Sequence, residues 1–427
     1  MNAEKIVSIL KASGLYGWEV SDVKTEGWEF YFIRHRLDQN RVKNVEHITV
    51  KAYALSEDGE YLGSASCEIS PTASEEEAEA LIKSLGYRAS LVKNRAYTLN
   101  TPCEAKAGSA ALPDISAVSR DFIETMKFLP ETESEDINSY EIFVSLKTRH
   151  FISSTSIEFT ESVPDSMIEV VVNARKDGHE IELYRNYSSG GCDREALRKD
   201  LIRTFAFGRD RLFAVPTPPL GRADVIFSTA DACRVYEYFA SRLSAGMIYR
   251  KMSSWKLGEE IAPGGSGDSL TLKAVKNLPN SSQNRSFDPE GAPVRDTVML
   301  ENGVARAYLG GRMFSSYLGL ESSFIPSNFE VSGGTRPEAE LRKGPYLEVV
   351  EFSDFQVDAM TGDIFGEIRL AYLHDGEKIT PVSGGSVSGS MLEATGTLQA
   401  SKERVLYDNW LIPAVTKLPS LTVTGAE

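Results

Sequence analysis

The chain has few cysteines, few histidines, no surplus of positive charge and no long apolar run, and each shortage removes a class of protein. Its four cysteines (Cys67, Cys103, Cys192 and Cys233) stand far apart with no C-x-x-C pair. A disulfide framework or a cysteine-based zinc site lacks its spacing here, and reduced, mostly buried thiols are expected. The five histidines (His35, His47, His150, His179 and His374) form no pair at metal-ligand spacing. A net charge of -15 argues against a nucleic-acid surface built on phosphate contacts, though it leaves room for a local basic patch. No stretch reaches the roughly 18 apolar residues of a membrane span. The start, MNAEKIVSILKASGLYGWEV, lacks the basic n-region and small-residue cleavage site of a signal peptide. A cytoplasmic protein without membrane contact is expected.

What is present is ordinary for a soluble globular chain, with 41% hydrophobic and 25% charged residues. At 427 residues it exceeds what one core usually supports, so two or three domains are expected. The pattern reads as α+β throughout: an N-terminal α+β domain over 1–100, a mixed middle region over 119–215, and a β-rich C-terminal domain over 221–427. In the first, Ile6, Ile9 and Leu10 mark a helix over 3–13, stopped at Gly14. Strands follow around Phe30–Ile33 and Ile48–Ala52, then a helix over 75–98 with an acidic first turn, apolar positions at Leu81, Leu85, Leu91 and Val92, and a possible interruption at Gly86. Residues 99–118 read as a linker or exposed loop.

The middle region predicts strands over 140–147, 150–159, 167–173 and 179–185, with KTRHF (147–151) as a tight turn and Asp177-Gly178 as the strongest hairpin signal. A helix over 193–207 has Asp193 as its cap and Leu197, Leu201, Ile202 and Phe205 on one face. PTPPL (216–220) then breaks the chain. No repeat of fixed period is found.

The most informative stretch is 225–251, VIFSTADACRVYEYFASRLSAGMIYRK, which reads as a strand, a cap and a helix over 229–246. Ser228 and Asp231 have capping-box spacing. Ala232, Val235, Phe239 and Leu243 form one apolar stripe. Glu237, Ser241 and Arg242 fall off it, as a solvated or ion-paired face would. This helix has a poor donor set for zinc: Arg242 stays protonated, Glu237 alone is too little, and no histidine accompanies Cys233. Arg250 and Lys251 at the helix end suit its dipole and could receive a peptide carboxylate. Elsewhere, PGGSGDS (263–269) lacks the residues of a phosphate loop and reads as a flexible loop near a groove. Asp358 and Asp363 bracket M-T-G and read as a turn rather than an acid–base pair. No G-x-S-x-G context supports a serine nucleophile. An extended peptide could still add to a sheet edge through main-chain hydrogen bonds.

The helix, the segment FDPEGAPVRDTVMLENG (287–303), the C-terminal run PYLEVVEFSDFQVDAMTGDIFGEIRLAYLHDGEKITPVSGGSVSGSM (345–391) and the closing LPSLTVTGAE together resemble the TldD/PmbA family, whose older label is modulator of DNA gyrase. NRVKNVEHITVKAYA and GSAS extend the resemblance to the N-terminal region. Protease members of that family carry H-E-x-x-x-H on this helix and a late cysteine, and degrade unfolded peptides with zinc. In that register this chain has Glu237 and Arg242 at the histidines and Tyr238 at the catalytic glutamate, and no cysteine follows Cys233. The resemblance is strongest to the PmbA (TldE) branch, which lacks the motif and pairs with a TldD-type subunit; YRKMSS (249–254) also fits that branch. It implies a non-catalytic subunit with no catalytic or metal residues of its own, and zinc only in the partner. A stand-alone homodimeric peptide-binding or assembly protein, and a peptidase with an atypical site, are the alternatives. Nothing in the acidic sequence points to DNA or gyrase contact.

Overall fold

The computed structural model describes residues 1–103 and 112–426; part of the expected 99–118 linker therefore lies outside the described residues. The first half of the chain forms one antiparallel sheet. Its strands are β1 (Gly17–Ile33), β2 (Arg36–Leu55), β3 (Leu62–Ile69), β4 (Glu135–Ser153), β5 (Glu158–Lys176) and β6 (His179–Ser189). Their spatial order is β3-β2-β1-β4-β5-β6. Helices α1 (Ala3–Ala12) and α2 (Glu75–Ser90) flank the first three strands in sequence, and α3 (Ile115–Met126) and α4 (Arg194–Leu212) flank the last three. The half is thus two helix–meander–helix units joined edge to edge, with β1 paired to β4 from Glu19↔Ser153 to Ile33↔Ser139. The strands of 1–100 and 119–215 share this sheet. The repetition lies in the order of elements, not in residue identity, because alternating apolar positions specify each meander without fixing which apolar residue is used.

The even-numbered Trp18, Val20 and Phe32 of β1 face the helices. The first two pack with α1 and α2, and Phe32 packs with α3 and α4. Local chemistry sets the helix starts: Asn2, Ser74 and Asp193 accept the N-terminal amides of α1, α2 and α4, and Ser74 with Glu77 completes a capping box. Gly86 does not interrupt α2; a Cβ there would stand 2.8 Å from Leu15 Cδ2, so glycine allows close packing. Leu81, Leu91 and Val92 are exposed, and the buried face of α2 is Ala78, Ile82, Leu85 and Ala89. Ile202 likewise faces solvent on α4 while Leu197, Leu201 and Phe205 are buried. KTRHF is not a turn. It continues β4, because β1 and β5 pair with it on both sides, and the reversal comes at Ser156, whose φ is 70°. The Asp177-Gly178 hairpin forms as expected, with φ of 52° and 82°.

The second half holds two sheets around a shared core. One orders its strands as Val304–Ala305, Thr297–Glu301, Thr271–Val275, Asn328–Ser332, Trp410–Pro413 and Arg404–Tyr407. In the other, Tyr346–Val357, Gly221–Phe227, Thr416–Thr424, Ser386–Ser390 and Asp363–His374 run in order, and the last pairs back to the first. That ring closes a small barrel, and from Asp363–His374 the sheet extends beyond it through Ile379–Ser383 to the two-residue strand Val215–Pro216. PGGSGDS is pinned: Gly267 N and Asp268 N donate to the carbonyls of Gly396 and Leu398 at 2.9 and 2.8 Å. The two halves meet where Phe159, on the sheet face away from the helices, stacks on Phe287 at 4.1 Å. Beside it, Arg149 Nη2 donates to Glu161 and to the carbonyls of Phe287 and Asp288.

Candidate functional site

The strand Gly221–Phe227 leaves the barrel and leads into α5 (Ala232–Arg242), which packs against the strand Tyr346–Val357. The capping box expected from Ser228 and Asp231 does not form. Ser228 Oγ instead donates to the Glu348 carboxylate, and Asp231 has helical φ and ψ with no side-chain cap bond. The expected helix also splits. Ser244 is extended and starts α6 (Ala245–Tyr249), because Leu309 exchanges main-chain hydrogen bonds with Leu243 and Ala245. The apolar stripe is as read: Ala232, Val235, Phe239 and Leu243 are all buried. Tyr236 is buried too, its hydroxyl 2.7 Å from Thr416 Oγ1. The Cys233 thiol is buried, and its pKa is raised by that burial, with Glu237 and Asp231 adding to it. Such a thiol holds its proton and is a poor nucleophile.

Glu237 lies on the outer side and accepts from Arg234 at 2.8 Å, an i,i+3 ion pair. Tyr238 turns inward, edge-on to Phe239 and to Trp255 with ring centroids 5.6 and 5.9 Å away. Burial raises its hydroxyl pKa while Arg242 lowers it. Arg242 departs from the expected solvated face: only 5% of it is exposed. Its Nη1 donates to the carbonyls of Met252 at 2.7 Å and Met360 at 3.2 Å. Its guanidinium lies 5.8 Å from the Tyr238 ring centroid and 5.6 Å from that of Trp255. No carboxylate pairs with it among the described residues, and Nε is buried without a partner. The cation is held by main-chain dipoles and aromatic faces. Trp255 and the two carbonyls complete this cage, and sequence reasoning did not single them out; a carbonyl acceptor leaves no mark in a sequence.

Arg250 and Lys251 are exposed at the end of α6, where the Arg250 guanidinium sits 4.5 Å from the Phe314 ring centroid and Lys251 has φ 59°. They directly precede Met252, whose main-chain carbonyl accepts from Arg242. Asp358 and Asp363 do form the expected turn: Asp358 accepts from the amides of Met360 and Thr361, and Asp363 accepts from the Thr361 hydroxyl. Around α5 the donors do not suit zinc, since Glu237 is committed to Arg234, Tyr238 is buried as a phenol, and Arg242 is a cation. Among the described residues no group of three His, Cys, Asp or Glu side chains could hold a metal ion. None of the helices in that part of the chain is long and apolar enough to cross a membrane.

The site thus lies on a closed barrel with α5 against its wall, set beside a six-stranded sheet flanked by helices. Residues 220–426 match the family described as PmbA/TldA metallopeptidase C-terminal domain. The C-terminal half belongs to the PmbA/TldD family, and the whole chain carries that family's fold. A metalloprotease PmbA homolog of Haemophilus influenzae is 24% identical over 47% of this chain and 46% of its own length. This chain spans less than half the length of the curated relatives it matches. TldE from Thermococcus kodakarensis superposes with a TM-score of 0.76 at 14% identity, covering 99% of this chain and 100% of that one. A Bacteroides thetaiotaomicron protein described as a candidate modulator of DNA gyrase gives 0.79 at 19% identity, covering 99% and 98%.

Proposed function

We propose that this chain is the non-catalytic subunit of a two-component peptidase of the PmbA/TldD type, which helps enclose and position unfolded peptides for a zinc-bearing TldD-type partner. One observation carries the reading. Where the resemblance puts the second motif histidine, the buried Arg242 guanidinium is fixed on the carbonyls of Met252 and Met360. A group that stays protonated repels a divalent cation and cannot donate a lone pair to one. Tyr238, at the register of the catalytic glutamate, packs among aromatic rings. A buried phenol with a raised pKa makes a weak general base. On this reading α5 serves as structure and leaves the metal chemistry to the partner.

The decisive measurement is metal content of the purified chain, followed by co-expression with a TldD-type protein. The expected results are no bound zinc, a stable complex, and cleavage of an unfolded substrate that depends on the partner's glutamate. About one tightly held zinc per chain would sink the proposal. The second reading, a homodimeric peptide-binding protein, draws on a sheet edge: β3 covers only Ile48–Leu55 of β2, so among the described residues Arg36–His47 pair on one side only. It is favoured if the chain self-associates and binds peptide but ignores a TldD-type protein. Cleavage by this chain alone, abolished by a chelator, would instead favour an atypical peptidase site.

A further inference from the structure

A second site lies away from α5, where the end of α4 meets the barrel. The two halves are tied there by the Tyr372 hydroxyl on Asp210 at 2.6 Å and by Arg185 on Glu351 at 2.5 Å. Beside these ties opens a cleft of about 560 Å³. Arg211, from the last turn of α4, and Arg369, from the strand Asp363–His374, line it together with Glu367, Phe365, Ser353 and the Gly384-Gly385 turn. No carboxylate within salt-bridge distance of Arg211 or Arg369 is found among the described residues. Arg369 Nη2 donates to Ser353 Oγ at 3.0 Å, which leaves the serine proton free to point at a ligand. Elsewhere on this seam arginines are matched, as Arg185 is by Glu351. Two like charges facing one cleft repel: burial first and then Arg369 pull the Arg211 pKa down, while Glu351, already paired with Arg185, opposes them from beyond salt-bridge distance. An anion between them relieves that repulsion and gains charge-assisted hydrogen bonds from both.

The rest of the lining narrows the choice of anion. Glu367 contributes a negative charge to the rim, which disfavours a multiply charged ligand such as a phosphate ester. Phe365, 46% exposed, offers an apolar surface to a side chain next to the charge. The diglycine turn has no room for a side chain: a Cβ on Gly385 would stand 2.2 Å from the Thr424 carbonyl. Its glycines pack against the last strand, and main-chain hydrogen bonds with Ile368 fix the turn at the edge of the cleft. We propose that this cleft binds the free α-carboxylate of a peptide's C-terminal residue, with Arg211 and Arg369 as its cationic arms. The choice of a peptide rests on the peptide-handling reading above; the site itself does not depend on the metal question.

The experiment uses the full chain and an N-terminally fluoresceinated Gly-Ser-Gly-Ser-Phe, as the free acid and as the C-terminal amide, read by fluorescence anisotropy. The acid should bind about tenfold or more tightly than the amide. Arg369→Gln and Arg211→Gln should each remove most of that preference, while Glu367→Gln should strengthen acid binding about two- to fivefold. Arg369 is exposed, so its variant keeps the test valid if Arg211→Gln fails to fold. Equal affinity for acid and amide, no binding of either, or acid binding indifferent to both arginine changes would overturn the proposal. Inorganic phosphate displacing the acid peptide at or below the peptide's own dissociation constant would overturn it too, in favour of a plain anion site. None of these readouts involves zinc or a partner, so a failure here and a failure of the subunit reading are separable.

Discussion

Glu19→Gln is expected to leave stability unchanged in mild acid and to raise it above neutral pH. Glu19 sits on β1 opposite Lys51, with its Oε1 accepting from the Tyr53 hydroxyl at 2.7 Å. It faces the turn that brings Glu290 and Asp288 from the other half of the molecule. Burial is the main cause that lifts its pKa from 4.5 to about 7; the two carboxylates add to it, and Lys51 and Tyr53 oppose it. Lys51 is shared, its Nζ also lying 3.6 Å from Glu290. A carboxyl with a raised folded pKa binds its proton more tightly in the native state. Its contribution is complete below 4.5 and is lost as pH rises through about 7. A difference of about 2.5 pH units, at roughly 1.4 kcal/mol each, sets an upper value of about 3.5 kcal/mol. The side chain keeps some solvent access, so we expect about 1 to 3 kcal/mol. Glutamine retains an oxygen for Tyr53 and never ionises. Paired urea titrations of the two proteins between pH 4.5 and 9 isolate Glu19 from other titrating groups, because only the difference curve is read. Superimposable difference values at pH 5 and pH 8, or a variant weaker than wild type at pH 8, would refute the argument.

Arg149→Met should cost about 3 kcal/mol in the same titration, since it strips a buried Glu161, 8% exposed, of its cation and frees the carbonyls of Phe287 and Asp288. Gly63→Ala should lower the thermal midpoint by the equivalent of about 2–3 kcal/mol, because the new Cβ would lie 1.9 Å from the Ala89 carbonyl and 2.3 Å from that of Val92. Tyr236→Phe should cost about 1 kcal/mol by leaving the buried Thr416 hydroxyl without its partner at 2.7 Å, with the circular dichroism spectrum unchanged.

What the sequence made legible was local. The cap at Asp193, the acidic first turn of α2, the hairpin at Asp177-Gly178, the T-G-D turn and the stripe from Ala232 to Leu243 all depend on residues a few positions apart. What stayed hidden depends on distant partners. KTRHF has turn-like polarity, yet β1 and β5 hold it in a strand from both sides. Ser228 has the right spacing for a cap, yet Glu348 takes its hydroxyl. Arg242 was legible as a cation that cannot bind metal, but not as a buried one, since its acceptors are backbone carbonyls at Met252 and Met360. The pairing of Arg211 with Arg369 in one cleft has no sequence signal, because α4 and the barrel strand meet only in the folded chain.

The seam between β1 and β4 imposes an order on synthesis. Residue 19 meets its partner only when residue 153 has been made. Until then β1 emerges with one side open along its length, a template for wrong pairing. A ribosome pausing between the two meanders would hold the nascent chain in that state, whereas one pausing after β6 would hold a finished sheet. Rare-codon placement and chaperone demand should therefore act most strongly on the stretch before β4, and fragments ending near residue 100 should aggregate rather than fold.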